Sequence, residues 1–139
     1  MRIAVIPARG GSKRIPRKNI KVFNGKPIIA WAILAAQESE LFDHIVVSTD
    51  DDEIKKVSEF FGAIVPFIRP AHLADDHTPT APVISHAITE MERLYHPVDF
   101  ACCIYPCSPL LLASDLIEGF DMLRSTGVDF VYPVVEYPH

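Results

Sequence analysis

The basic segment "ARGGSKRIPRKN", residues 8–19, directly follows the apolar run 3–6 and contains residue types suited to binding phosphate. Paired glycines such as Gly10-Gly11 let the backbone turn tightly and present N–H groups to an anion. An arginine can donate two parallel hydrogen bonds to phosphate oxygens, and a lysine acts as a point charge. Arg9 and Lys13 therefore suit a triphosphate. The segment therefore predicts a phosphate-binding loop, with a ligand-free basic surface loop as the alternative.

The positive charge is concentrated at the start of the chain. Eight of the 13 Lys and Arg residues, and none of the 18 Asp and Glu residues, lie within residues 1–37. Such segregation favours an anionic ligand over an evenly solvated surface. A long nucleic acid is disfavoured as the partner, because the acidic remainder would repel it and no aromatic side chains alternate with the charges.

Two other phosphate-binding motifs are excluded by their spacing. A Walker-type loop fails because Gly25-Lys26 is followed by Pro27 rather than Ser or Thr, and no glycine lies five residues before Gly25. The dinucleotide fingerprint fails because Gly10-Gly11 is not followed by the further glycines that it requires.

Bulk properties indicate one globular domain, residues 1–139. The hydrophobic content of 49% and charged content of 22% are typical of such domains. We expect neither a membrane span nor a signal peptide, since no apolar run is long enough and no charged leader is present. The cysteines Cys102, Cys103 and Cys107 are predicted to be free thiols in a reducing cytoplasm rather than zinc ligands.

Short apolar runs alternate with longer helical patterns along the whole chain. Strands are predicted at 2–6, 45–49, 63–67, 100–105 and 129–134, and helices at 27–37, 52–61, 81–95 and 114–125. This alternation predicts an α/β fold, a doubly wound, mostly parallel sheet with helices on both faces. The stop at His139, soon after the last predicted strand, leads us to expect that the C-terminal part of the domain is missing.

Ligands of open α/β sheets bind beyond the carboxyl ends of the strands, which is where the basic segment lies. About 19 residues separate the first strand from the first helix, and ordered loops of that length are commonly functional.

Five motifs in order resemble the CMP-sialic acid synthetases and related sugar-acid cytidylyltransferases, a Rossmann-like family of nucleotide-diphospho-sugar transferase fold. They are IPARGGSKRIPRKN at 6–19, GKPI at 25–28, VSTD at 47–50, RPAHLADD at 69–76 and YPCSPL at 105–110. The resemblance covers essentially the whole chain. Within the family, "RPAHLADDHTPT" and "CCIYPCSP" are most similar to bacterial pseudaminic acid cytidylyltransferases.

The resemblance implies that CTP reacts with a nine-carbon acidic sugar to give a CMP-sugar and pyrophosphate, for bacterial surface or flagellar glycosylation. It implies catalytic roles for Arg9, Lys13 and Lys18. It assigns nucleotide binding to Ala8, Arg9, Gly10, Gly11, Ser12, Lys13, Asn19, Arg69 and Thr80, and sugar binding to Tyr105, Pro106 and Ser108. Within these sets Lys18 would stabilise charge near the α-phosphate, Asn19 would contact ribose or base, and Arg69 with Thr80 would read cytosine.

Structural roles compete with several of these assignments. Asn19 could cap a turn, Thr80 could be a helix N-cap, Arg69 could pair with a surface acid, and Tyr105 could be a core residue. The acidic runs 50–52 and 75–77 could hold a metal, although a helix cap is the favoured role for 50–52.

The resemblance also implies Mg²⁺ as cofactor, with aspartate ligands beyond His139, and a homodimer for the full-length protein. We therefore expect residues 1–139 alone to be weakly active or inactive. Sialic acid enzymes typically carry Gln-Pro-Thr-Ser-Pro where this chain has Tyr105-Pro106-Cys107-Ser108-Pro109, and that difference bears on the sugar. Sialic acid, the eight-carbon sugar acid of lipopolysaccharide and a non-catalytic nucleotide-binding domain are the alternatives.

Overall fold

A computed structural model describes residues 1–137, in which a parallel sheet supports four helices. The strands are β1 (Arg2–Pro7), β2 (Val22–Phe23), β3 (Lys26–Pro27), β4 (His44–Ser48) and β5 (Phe100–Cys103). The helices are α1 (Ile28–Glu38), α2 (Asp52–Phe60), α3 (Thr80–Leu94) and α4 (Ala113–Thr126). The three long strands pair in the order β4-β1-β5, and both ladders are parallel. None of these helices is long and apolar enough to cross a bilayer.

Strand β1 lies at the centre of the sheet, and its alternate residues face two separate apolar clusters. Ile3 and Val5 pack with Ala87 and Met91 of α3 on one face. On the other face Ala4, Ile6 and Ala8 pack against residues of the remaining helices, among them Ile29, Ile33, Ile54 and Leu116. Because neighbouring strand residues point in opposite directions, one buried strand needs helices on both faces. The predicted doubly wound architecture is confirmed.

The predicted strand at 63–67 is wrong in its extent. Ile64 alone bridges to Val46, through hydrogen bonds from Val47 N–H to the Ile64 carbonyl at 2.9 Å and from Ile64 N–H to the Ile45 carbonyl at 2.8 Å. Pro66 has no N–H to continue the ladder, which explains why pairing stops after one residue.

The predicted strand at 129–134 is also wrong, because this stretch adopts no regular secondary structure. Phe130 is 72% exposed and Val134 is 79% exposed. Strand formation requires a neighbour that accepts and donates backbone hydrogen bonds. Within residues 1–137 this stretch pairs with no strand. Apolar alternation therefore identified a segment able to form a strand without showing that a partner is available.

The segment between β1 and α1 is more structured than the single loop that was predicted. It contains one turn of 3₁₀ helix (Lys18–Ile20) and the antiparallel hairpin β2–β3. Asn24 and Gly25 form the two-residue hairpin turn with φ values of 47° and 82°. An Asn-Gly pair is the commonest sequence signal for such a turn, and it was available in the sequence. Every end of the four predicted helices agrees with the structure to within one residue.

Candidate functional site

A cleft of about 370 Å³ opens where the carboxyl ends of β1 and β5 face the start of α3. Its walls include eight of the predicted site residues: Arg9, Ser12, Lys18, Asn19, Arg69, Thr80, Tyr105 and Pro106. Ala8, Gly10, Gly11, Lys13 and Ser108 lie outside these walls. A larger depression of about 660 Å³ lies at the opposite end of the strands, and it contains none of the predicted residues.

Asp76 connects the two basic side chains that were assigned to phosphate. Arg9 Nη1 donates to Asp76 Oδ1 at 2.5 Å, and Lys13 Nζ pairs with Asp76 Oδ2. Hydrogen bonds from Lys13 and then Arg9 lower the pKa of the Asp76 carboxyl to about 2. Sequence reasoning considered Asp76 only as part of a metal-binding run and missed this pairing, which brings together loops 67 residues apart.

The two glycines of the basic segment have different surroundings. Gly10 N–H donates to Asp50 Oδ1 at 2.9 Å, and a Cβ at Gly10 would meet Asp51 Oδ2 at 2.7 Å. No atom lies within 4 Å of the corresponding position at Gly11. Gly10 is thus required by close packing against the start of α2, whereas the open space around Gly11 leaves room for a ligand to approach.

Asn19 is a buried residue whose side chain binds the backbone of the basic segment. It is 4% exposed, and its Nδ2 donates to the Arg9 carbonyl at 2.9 Å. Its Oδ1 accepts from the Cys107 thiol at 3.5 Å, which ties the segment to the residues after β5. Asn19 lies inside the 3₁₀ turn rather than at its cap, so the turn-cap alternative is wrong. The adjacent Lys18 contributes to the cleft wall.

Arg69 is a buried arginine anchored on the end of β4. It is 4% exposed, its Nε donates to Ser48 Oγ at 3.0 Å, and Nη2 donates to the Ser48 carbonyl at 2.5 Å. Burial lowers the pKa of Arg69. The surface ion-pair alternative is therefore wrong. The anchoring role of Ser48 was missed, although Ser48 lies in the motif VSTD at 47–50.

Thr80 and Tyr105 face each other across the cleft, with their hydroxyl oxygens 3.1 Å apart. Pro79, not Thr80, is the N-cap of α3, so the capping alternative for Thr80 is wrong. Tyr105 is 57% exposed and forms part of the cleft wall, so the core alternative is wrong as well.

The two acidic runs have structural functions in this part of the chain. Asp51 is the N-cap of α2, accepting from Glu53 N–H at 3.0 Å and Ile54 N–H at 2.9 Å, as predicted. Asp75 accepts from the N–H groups of His77 and Thr78, which forms a turn beside the cleft. Residues 1–137 contain no group of three or more His, Cys, Asp or Glu side chains placed to hold a metal ion. The Mg²⁺ ligands expected from the resemblance lie beyond His139, outside the residues that the structure describes.

Known proteins share both the sequence and the fold of this chain. A family model described as cytidylyltransferase matches residues 3–137. The pseudaminic acid cytidylyltransferase of Campylobacter jejuni subsp. jejuni serotype O:23/36 (strain 81-176) is 39% identical over 99% of the chain and 59% of its own length. The N-acylneuraminate cytidylyltransferase of Oncorhynchus mykiss is 41% identical over 98% of the chain and 30% of its own length.

One solved structure extends the comparison to the fold. CMP:2-keto-3-deoxy-manno-octonic acid synthetase complexed with CTP superimposes with a TM-score of 0.76 at 23% identity, covering 91% of this chain and 48% of that one. The chain spans between 30% and 59% of the length of the two relatives. The family model matches almost every described residue. The alignments of the chain to the two relatives also cover nearly its whole length. The chain therefore belongs to the cytidylyltransferase family.

Proposed function

We propose that the protein carrying this chain transfers CMP from CTP to an acidic nonulosonic sugar, with pseudaminic acid as the leading substrate. The observation that carries the proposal is the convergence of Arg9, Lys18 and Arg69 on one cleft beyond the carboxyl ends of the strands. These three cations outnumber the two carboxylates of the cleft wall, Asp75 and Asp76, and the net positive charge favours an anionic ligand. The pseudaminic acid enzyme of C. jejuni supports the choice of nucleotide and sugar.

The proposed reaction is an in-line displacement at the α-phosphorus of CTP. The anomeric hydroxyl oxygen of the sugar forms a bond to this phosphorus. The bond from the α-phosphorus to the oxygen that bridges the α- and β-phosphates breaks, and pyrophosphate leaves with the electron pair of that bond. The hydroxyl proton passes to solvent or to the departing pyrophosphate. Arg9 and Lys13 would neutralise the leaving pyrophosphate, and Lys18 would stabilise the charge that develops at the α-phosphate.

Arg69 is proposed to recognise the base. Two of its donor groups, Nε and Nη2, are engaged by Ser48, which fixes the plane of the guanidinium group at the cleft wall. A planar group held in this way presents its remaining donors in one direction, which suits the carbonyl oxygen of a pyrimidine. Thr80 and Tyr105 lie at the same cleft and are proposed to contact the nucleotide and the sugar.

The proposal is tested by measuring pyrophosphate release from the full-length protein. The assay combines CTP and Mg²⁺ with pseudaminic acid, N-acetylneuraminic acid and the eight-carbon sugar acid in separate reactions, and repeats the best pair with UTP and ATP. The expected result is turnover with CTP and pseudaminic acid. Preferential turnover of N-acetylneuraminic acid would support the alternative named by the Oncorhynchus mykiss relative. Absence of turnover with every sugar would contradict catalysis and favour a non-catalytic nucleotide-binding domain.

Substitutions of the phosphate-binding side chains separate their roles from folding. Arg9→Ala and Lys13→Ala are each expected to lower kcat/KM by roughly 100-fold, the usual effect of removing a group that stabilises charge in the transition state. Arg124→Ala, far from the cleft on α4, is the matched control. Unchanged turnover in both Arg9→Ala and Lys13→Ala would contradict the assigned roles. The predicted homodimer is tested in a separate experiment, by measuring the molar mass of the full-length protein in solution.

A further inference from the structure

Arg17 connects the basic segment to the start of α2. Its Nη1 donates to Asp51 Oδ2 at 2.6 Å and its Nη2 donates to Asp51 Oδ1 at 3.0 Å, while Nη2 also pairs with Glu53. Two parallel bonds between a guanidinium and a carboxylate fix the relative orientation of both groups as well as their distance. Unlike Arg9 and Lys18, Arg17 is not part of the cleft wall.

Asp51 is itself held in place by its surroundings. It caps α2 through hydrogen bonds from Glu53 N–H and Ile54 N–H, and its side chain lies directly against Gly10. A side chain constrained by a helix terminus and by a neighbouring backbone is a rigid anchor for its arginine partner. The position of Arg17 is consequently determined by α2.

The backbone of Arg17 has an unusual conformation. Its φ of 55° and ψ of 31° lie in the left-handed region, which non-glycine residues seldom adopt. Arg17 begins the 3₁₀ turn, since Ile20 N–H donates to the Arg17 carbonyl at 3.1 Å. A residue in this region persists where surrounding contacts hold it, and the paired bonds to Asp51 are contacts of that kind.

This turn carries two residues of the candidate site. Lys18 contributes to the cleft wall, and Asn19 supports the Arg9 carbonyl from a buried position. A change in the backbone angles of Arg17 would rotate Lys18 and Asn19 together relative to Arg9. Displacements of about 1 Å in a catalytic group can lower a rate by as much as ~100-fold.

We propose that Arg17 is a positioning residue of the nucleotide site, acting through its paired bonds to Asp51 to hold Lys18 and Asn19 in the cleft. This inference rests on the proposed function. It assigns Arg17 a role different from that of the other cations of the basic segment, because its charge is neutralised by Asp51 and Glu53. The identity of the side chain matters here, since lysine cannot form two parallel bonds to one carboxylate.

The test compares Arg17→Ala with Arg14→Ala in the full-length protein. Arg14 is an exposed cation of the same segment that forms no ion pair within residues 1–137, so its removal matches the change in charge. Arg17→Ala is expected to lower kcat/KM for CTP by about tenfold, and Arg14→Ala by less than about twofold. Arg17→Lys is expected to recover little of the loss. Equal effects of Arg17→Ala and Arg14→Ala would overturn the proposal.

A second comparison separates positioning from a general loss of stability. The Arg17→Ala/Asn19→Ala double variant is expected to lose less kcat/KM than the product of the two single losses, because residues acting through one element are non-additive. Independent, additive losses would overturn the proposal. Asp51→Asn retains a good N-cap while removing the charge that Arg17 binds, so it should reproduce the direction of the Arg17→Ala effect.

Hydrogen exchange provides a readout that does not depend on catalysis. In Arg17→Ala, exchange at residues 18–21 is expected to accelerate at least about tenfold, while residues of α2 beyond its first turn keep their protection. Unchanged exchange at 18–21 would overturn the proposal even if the full-length protein proved inactive. If the wild-type protein released no pyrophosphate but exchange accelerated as expected, the proposed function would fail while the structural link remained supported.

Discussion

The Asp76 carboxylate lies 2.5 Å from Arg9 Nη1, and its second oxygen pairs with Lys13. The chain thus places one of its own anions against the two cations assigned to the phosphates of a nucleotide. A triphosphate that binds both cations must displace this carboxylate or share the cations with it. The pairing predicts a competition that can be measured.

Replacing Asp76 with Asn should strengthen the binding of pyrophosphate, because the cations lose their internal competitor. An increase in affinity of about threefold is expected at low ionic strength, in keeping with the small effect of solvent-exposed ion pairs. Isothermal titration with pyrophosphate measures it. Asp75→Asn removes the same charge from the same loop while keeping a side-chain oxygen for the turn, so it serves as the control. Weaker binding by Asp76→Asn would show that the carboxylate organises the cations instead.

Gly10 and Gly11 should respond differently to the same substitution. Gly10→Ala would force a methyl group against Asp51 and is expected to lower the free energy of unfolding by about 1–3 kcal/mol, the usual effect of overpacking. Gly11→Ala enters open space and should leave stability nearly unchanged. Urea unfolding of both variants measures the difference. A loss of CTP affinity in Gly11→Ala without loss of stability would support ligand contact at Gly11, and equal destabilisation would contradict the geometry.

The pairing of Asp51 with Arg17 should make the free energy of unfolding depend on pH. The hydrogen bonds from Arg17 lower the pKa of Asp51 to about 2, below its value of 3.8 in an unfolded chain. A carboxyl group with a lowered pKa stabilises the fold fully above its unfolded pKa, and the contribution disappears as pH falls towards the folded value. Between pH 5 and pH 2 the free energy of unfolding of the wild type should fall by about 1 kcal/mol more than that of Asp51→Asn, after allowance for solvent screening. Parallel unfolding curves for both proteins over this range would contradict the assignment.

Nucleotide binding should protect the Cys107 thiol from alkylation. Cys107 lies in the cleft wall and donates to Asn19, while burial raises the pKa of its thiol. Alkylation by iodoacetamide should therefore be slow near neutral pH and accelerate as the pH approaches the raised pKa. CTP should slow modification of Cys107 by about tenfold at saturation. Cys103, outside the cleft, is the internal control, and equal labelling of Cys107 with and without CTP would place the nucleotide elsewhere.

The sequence predicted the layered fold well because its signals were local. Helix α2 was located by its acidic cap and by Gly62, and the structure assigns Asp51 as that cap. The two errors, at 63–67 and 129–134, concern strands, whose formation depends on partners distant in sequence. The β2–β3 hairpin, by contrast, has a local sequence signal, the Asn24-Gly25 pair at its turn.

The site was predicted as a set of residues, but its internal connections were not. Motif resemblance pointed to Arg9, Asn19 and Arg69, and all three contribute to one cleft. Nothing local in the sequence indicates that Asp76 pairs with Arg9 or that Asp51 pairs with Arg17, since each pair joins loops brought together only by the fold. The structure supplies these long-range contacts, and they separate the cations facing the cleft from the one that anchors the segment.

The bond between the Thr80 and Tyr105 hydroxyls implies that the two substrates influence each other's binding, under the proposed assignment of these residues to different substrates. A substrate that engages either hydroxyl competes with this bond and leaves the opposite hydroxyl free to reorient. Binding of CTP would then alter the dissociation constant of the sugar, and binding of the sugar would alter the dissociation constant of CTP by the same factor. Titration of the sugar with and without a non-reactive analogue of CTP should therefore show different affinities, and Tyr105→Phe should abolish the difference.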